Sequence, residues 1–102
     1  MTEVMTRKPK FKTNDKFQTL VVHIPVLQDK NLTPSQKILF SFILAGYQGS
    51  QKTLGKLADI DPRTVCKSLI ALEDLGYIKP ISKGLFNMYS VEKEEYLSLA
   101  QK

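Results

Sequence analysis

The sequence predicts an α+β domain, mainly helical with a small β-sheet, and three observations carry that expectation. LTPSQ and DIDPR each set a capping residue directly ahead of a proline and an apolar run, the pattern of a helix start. After Gly76 the apolar spacing changes from helical to strand-like, in the runs YIKPIS and LFNMYSV. A chain of 102 residues with 42% apolar side chains suffices for one modest core, so a single domain is expected.

Residues 1–16 carry Arg7, Lys8, Lys10, Lys12 and Lys16 against Glu3 and Asp15, with no apolar period. They read as a flexible basic arm, either an electrostatic anchor or a solubilising tail, ahead of a domain over residues 17–102. FQTLVVHIP, residues 17–25, is rich in β-branched side chains and reads as a strand ended by Pro25, with His23 an ordinary strand residue.

Thr33, Pro34 and Gln36 then form a capping box that opens a helix. Its run Ile38, Leu39, Phe40, Phe42, Ile43, Leu44 and Tyr47 must be covered on more than one side, and Gly46 and Gly49 bracket its end. Ser50 caps a shorter helix, QKTLGKLAD, with Leu54, Leu57 and Ala58 at helical spacing and Lys52 and Lys56 one turn apart on another face.

Asp61 caps the following helix, Pro62 opens it and Gly76 stops it. Val65, Leu69, Leu72 and either Leu75 or Ile70 are expected on its core side. The two later runs pair as a hairpin with its tip near Lys83 and Gly84, and Pro80 demands an edge or an interruption. EKEEYLSLAQK reads as a closing helix with acids in its first turn.

Two helices joined by a turn of a few residues, within about 50–75, form a helix-turn-helix, whose second helix enters the DNA major groove by its N-terminal residues. Arg63, Thr64, Lys67 and Ser68 project from the first two turns and are the candidate base and phosphate contacts. A guanidinium at Arg63 can bridge two acceptors on guanine or clamp a phosphate. Lys52, Thr53 and Lys56 on the preceding helix and Lys79 and Lys83 on the hairpin extend the basic set toward the backbone. Thr53 and Thr64 suit either a phosphate or their own helix ends.

Residues 32–91, LTPSQKILFSFI…SQKTLGKLADIDPRTVCKSLIALEDLGYIKPI…NMYSV, resemble a winged helix-turn-helix domain. They are most similar to compact versions in plasmid and phage replication initiators, partition proteins and bacterial transcription regulators. Thr53, Leu54, Thr64, Val65, Leu69, Leu72, Gly76 and Ile78 match that pattern. Two positions depart from it. Asp61 stands where serine is usual, a good cap that sets a negative charge near DNA. Gly55 stands where alanine is usual, a loss of roughly 1 kcal/mol in helix propensity.

The resemblance implies a wing at about 77–91 that follows the phosphates or minor groove. Lys79 and Lys83 are then candidates, as is Asn87, which suits the hairpin backbone equally well. The arm residues Arg7, Lys8, Lys10 and Lys12 join the candidate DNA contacts, and a C-terminal helix is expected at about 92–101. A sequence-specific double-stranded DNA-binding protein of a mobile element is implied, working as a homodimer because one recognition helix reads too few base pairs. A winged-helix adaptor that contacts a replication or segregation partner protein is the alternative.

The net charge of +5 and sequence pI of 9.4 suit an anionic partner. Catalysis is not expected, because the chain has one histidine, one cysteine, Cys66, that reads as buried and without an evident basic partner, and no phosphate-cradling glycine loop. Cys66, as the sole cysteine, excludes an internal disulfide, and no metal or cofactor is expected. With no apolar run long enough for a membrane span and a polar N-terminus unlike a signal peptide, a cytoplasmic location is expected.

Overall fold

A computed structural model describes residues 19–82 and 88–100. The arm, the hairpin tip with Lys83 and Asn87, and residue 101 of the expected last helix lie outside the described residues. The chain forms α1 (Ile24–Leu27), α2 (Pro34–Leu44), α3 (Gln51–Ala58), α4 (Pro62–Asp74), β1 (Ile78–Ser82), β2 (Met88–Val91) and a 3-10 helix (Glu94–Leu99). This is the mainly helical α+β arrangement with a small antiparallel sheet.

Each helix end has a local cause. The Thr33 hydroxyl accepts from the Gln36 amide at 3.3 Å while the Gln36 side chain accepts from the Thr33 amide at 3.0 Å, the expected reciprocal cap on α2. Gly46 and Gly76, at φ 91° and 82°, end α2 and α4 in the left-handed conformation that glycine adopts without strain. The amides of Tyr47 and Tyr77 then turn back onto the carbonyls of Phe42 and Leu72, both at 3.0 Å.

The same closure ends α3 without a glycine. Asp59 takes φ 58° itself, and the Ile60 amide donates to the Gly55 carbonyl at 2.9 Å.

The core gathers around α2. Leu39, Phe40, Phe42, Ile43 and Leu44 of α2 are buried with Leu54 of α3, Val65, Leu69 and Leu72 of α4, Ile78 of β1, and Tyr77 and Tyr96. Phe40 meets the rings of Tyr77 and Tyr96 edge-on, with centroids 5.5 and 5.2 Å apart, a geometry favoured by the ring quadrupole. Ser41 is buried among these groups, and its hydroxyl donates to the Lys37 carbonyl one turn back, at 2.8 Å.

The two phenols leave the core by converging on one carboxylate. The Tyr77 and Tyr96 hydroxyls donate to Asp29 Oδ2 at 2.7 and 2.8 Å, and the Asn31 amide donates to Oδ1 at 2.9 Å. Burial pushes the Asp29 carboxyl up, but the hydrogen bonds from Tyr77, Asn31 and Tyr96 and the charge of Lys93 outweigh it and hold its pKa below the ordinary value. Burial and hydrogen bonding to Asp29 push both phenols up. The Lys93 ammonium lies 5.0 Å from the centre of the Tyr77 ring. This cluster ties the segment after α1 to the start of the hairpin and to the 3-10 helix.

The sheet pairs Ile78 with Val91, Lys79 with Ser90 and Pro80 with Tyr89, then slips so that Ser82 faces Met88. Ile81 is the extra residue of this bulge and is 61% exposed. Pro80 has no amide to donate, so the irregularity falls where the ladder is already broken.

Three expectations are corrected. The strand at 17–25 does not form over its described part: residues 19–23 belong to no helix or strand, His23 caps α1, and Pro25 lies in its first turn. Among the described residues the sheet has two strands, neither from this segment, and β-branched composition without a partner edge makes no ladder. On α4 neither Ile70 nor Leu75 joins the core, being 51% and 46% exposed, and Cys66 is exposed too. Residues 92–101 form a 3-10 turn rather than an α-helix over their described part, with Tyr96 buried and Leu97 half exposed.

Candidate nucleic-acid interface

Residues 59–61 are all that separate α3 from α4. The turn can be that short because Gly55 has no side chain: a Cβ there would stand 2.8 Å from the Ile60 carbonyl oxygen and 3.4 Å from a Val65 methyl. Gly55 is therefore a point of close approach, which corrects its reading as a simple loss of helix propensity.

The start of α4 is set by Asp61, whose Oδ1 accepts from the Arg63 amide at 2.8 Å, and by Pro62 at the first position. Val65, Ser68, Leu69 and Leu72 are buried. Their i, i+3, i+4, i+7 spacing makes one continuous stripe that holds the helix on the core. Arg63, Thr64 and Lys67 are exposed. Arg63 and Lys67, four residues apart, share a face.

Ser68 is a correction among the candidate contacts. It is 5% exposed and belongs to the buried stripe, so it offers no hydroxyl to a ligand on the outer face. The periodicity already contained this, since position 68 is the i+3 member of the set that begins at Val65.

On α3, Lys52 and Lys56 are exposed one turn apart. Thr53 is half-buried and serves its own helix: Ser50 Oγ accepts from the Thr53 amide and donates to the Thr53 hydroxyl, both at 3.0 Å. Lys79 is exposed on β1. α3 packs on α4, and α4 on β1, so α4 touches both of the other elements that bear these cations. Burial pushes the Tyr89 phenol of β2 up, while its hydrogen bond with Gln51 of α3 acts the other way.

A second surface feature has different chemistry. Ile43, Tyr47, Ile81, Tyr89, Val91 and Leu97 line a groove of about 450 Å³ between the end of α2, the hairpin and the 3-10 helix. Burial pushes the Tyr47 phenol up to about 12, and its hydroxyl donates to the Ser50 carbonyl at 2.9 Å.

Among the described residues no cluster of histidine, cysteine and carboxylate side chains is suited to holding a metal ion. No helix there is long and apolar enough to cross a membrane. Comparison with protein-family models, curated proteins and solved structures finds no match for this chain.

Proposed function

We propose that the chain is a winged helix-turn-helix protein that binds double-stranded DNA sequence-specifically and regulates transcription, replication or segregation of a plasmid or phage-like element. The observation that carries the reading is the division of α4: Arg63, Thr64 and Lys67 exposed at its leading end, Val65, Leu69 and Leu72 locked into the core behind them. The short turn holds α3, with Lys52 and Lys56, against this helix, and the hairpin follows directly with Lys79. In this reading α4 enters the major groove while the lysines of α3 and β1 meet phosphates. Thr53, already bonded to Ser50, supports the start of α3.

The protein acts as a homodimer, because two half-sites supply the length of sequence that one helix lacks. The groove beside the half-exposed Ile81 and Leu97 gives a second copy an apolar surface to cover. The working partners are thus double-stranded DNA and a second copy of the chain, in a cytoplasmic setting, with no chemistry performed. Selection of bound sequences from a random duplex pool, with affinity followed against salt, tests this. Enrichment of a two-fold or repeated motif is expected, and weak binding that is equal for all sequences overturns it.

The exposed face of α4 also supports one other reading, an adaptor that presents Arg63 and Lys67 to a replication or segregation partner protein. There, changing Arg63 and Lys67 to alanine abolishes the protein complex and leaves DNA affinity unchanged. DNA reading requires the reverse.

A further inference from the structure

The carboxylate of Asp61 does two things with one oxygen. Oδ1 accepts the Arg63 amide at 2.8 Å as the helix cap, and Arg63 Nε, at 3.5 Å, points to the same atom. The Arg63 side chain is 89% exposed and that of Asp61 53%. A pair so open to water adds little to stability, and the cap alone explains an oxygen at this position without explaining a charge. The effect of the Nε contact is on direction.

Nε is the inner nitrogen of the guanidinium. A contact there restricts the swing of the side chain and leaves the two terminal nitrogens, which Asp61 does not engage, available as a fork. That fork matches the O6 and N7 acceptors of guanine, a match that a lysine ammonium cannot reproduce. A carboxylate beside the fork also repels phosphate, which weakens binding to any duplex irrespective of sequence.

We propose that Asp61 is a positioning residue: it orients Arg63 to read a guanine in the major groove and lowers affinity for non-cognate DNA. The proposal rests on the DNA-binding reading above and assigns a base to it. It also gives a use to the aspartate that stands where serine would cap equally well.

The test compares Asp61→Ser, which keeps a cap but loses the reach to Nε, with Asp61→Asn, which keeps the acceptor oxygen and loses the charge. The parent's selected duplex and the same duplex with guanine replaced by adenine at each position in turn serve as probes, with thermal melts confirming equal folding. The parent is expected to prefer guanine at one position in each half-site. Asp61→Ser is expected to lower that preference about fivefold to tenfold, and Asp61→Asn to retain most of it. Both variants are expected to bind random duplex several-fold more tightly at low salt. In an Arg63→Ala background, Asp61→Ser is expected to leave the guanine preference unaltered, because no fork remains to be oriented.

A second readout needs no DNA: the 15N order parameter of Arg63 Nε in the free protein is expected to fall in Asp61→Ser. An unchanged guanine preference in Asp61→Ser, or an equal loss in the Arg63→Ala background, overturns the proposal, as does an Nε equally mobile in parent and variant. A parent without any sequence preference overturns the DNA reading and the guanine assignment together, while the Nε measurement separately decides whether Asp61 restrains Arg63.

Discussion

Replacing Gly55 with alanine sets two opposed effects against each other, and the structure says which is larger. Helix propensity alone favours alanine by about 1 kcal/mol in a helix interior. The added Cβ, however, stands 2.8 Å from the Ile60 carbonyl oxygen, a backbone atom in the turn, and 3.4 Å from the Val65 methyl. The Ile60 carbonyl cannot rotate away like a side-chain tip. Its own amide donates to the Gly55 carbonyl at 2.9 Å, and Asp61 follows at once as the cap of α4.

Forcing atoms into such a contact costs about 1–3 kcal/mol, as overpacking does elsewhere, and the turn bond weakens as Ile60 is pushed away from Gly55. With the weakened turn bond adding about 0.5–1 kcal/mol, the expected net effect of Gly55→Ala is a loss of about 0.5–3 kcal/mol once the propensity gain is offset. Each kcal/mol corresponds to a fall in melting temperature of roughly 4–8 °C for a domain of this size. Urea denaturation followed by circular dichroism measures it, with Lys56→Ala on the exposed side of the same helix showing propensity without a clash. A Gly55→Ala protein as stable as the parent, or more so, refutes the close-approach argument.

Other consequences concern pH and the proposed interface. Because Asp29 is held below its ordinary pKa in the folded chain, its contribution is present above the unfolded value near 3.8 and is lost as pH falls through the lower folded value. Acid unfolding curves of Asp29→Asn are therefore expected to flatten over that range, with a cost at neutral pH of about 1–3 kcal/mol. Tyr47, Tyr77 and Tyr96 are raised above 10, so their contribution is complete below pH 10 and drains away as the pH climbs through their folded values, Tyr47 near 12. Spectrophotometric titration should show these phenolates forming together with unfolding, and ordinary titration near 10 without unfolding would contradict their burial. At the proposed interface, Lys67→Ala should reduce the slope of log affinity against log salt by about 1, whereas Ser68→Ala should leave it untouched. Equal effects from the two variants would mean that the exposed and buried sides of α4 have been misread.

What the sequence made legible was the chemistry that neighbours decide. Thr33 with Gln36, Asp61 with Pro62, and the left-handed glycines 46 and 76 act within one turn of the chain, so the helix limits follow from a few adjacent letters. The stripe Val65, Ser68, Leu69 and Leu72 was equally readable, although Ser68 looked like a contact when judged by its hydroxyl alone. Distant arrangements were not readable. Tyr77 and Tyr96 reach Asp29 from 48 and 67 residues away, and nothing near Asp29 in sequence announces either partner.

The segment at 17–25 shows the same limit from the other side. Its β-branched residues favour an extended backbone, but a strand also needs an edge to pair with, and residues 19–23 join no sheet. Gly55 reversed its meaning for a related reason, since the oxygen it accommodates belongs to the turn and not to its own helix.

The central claim is that the outer face of α4 reads DNA, and it is tested most directly by the affinity of an Arg63→Ala, Lys67→Ala protein for its selected duplex against a random one. Both side chains are exposed, so the fold should persist, as circular dichroism would verify. The expected result is a fall in affinity for the selected duplex of tenfold or more, about 1–3 kcal/mol from Arg63 alone, and a selected-to-random ratio that drops toward one. An unchanged ratio in a folded variant would contradict the account.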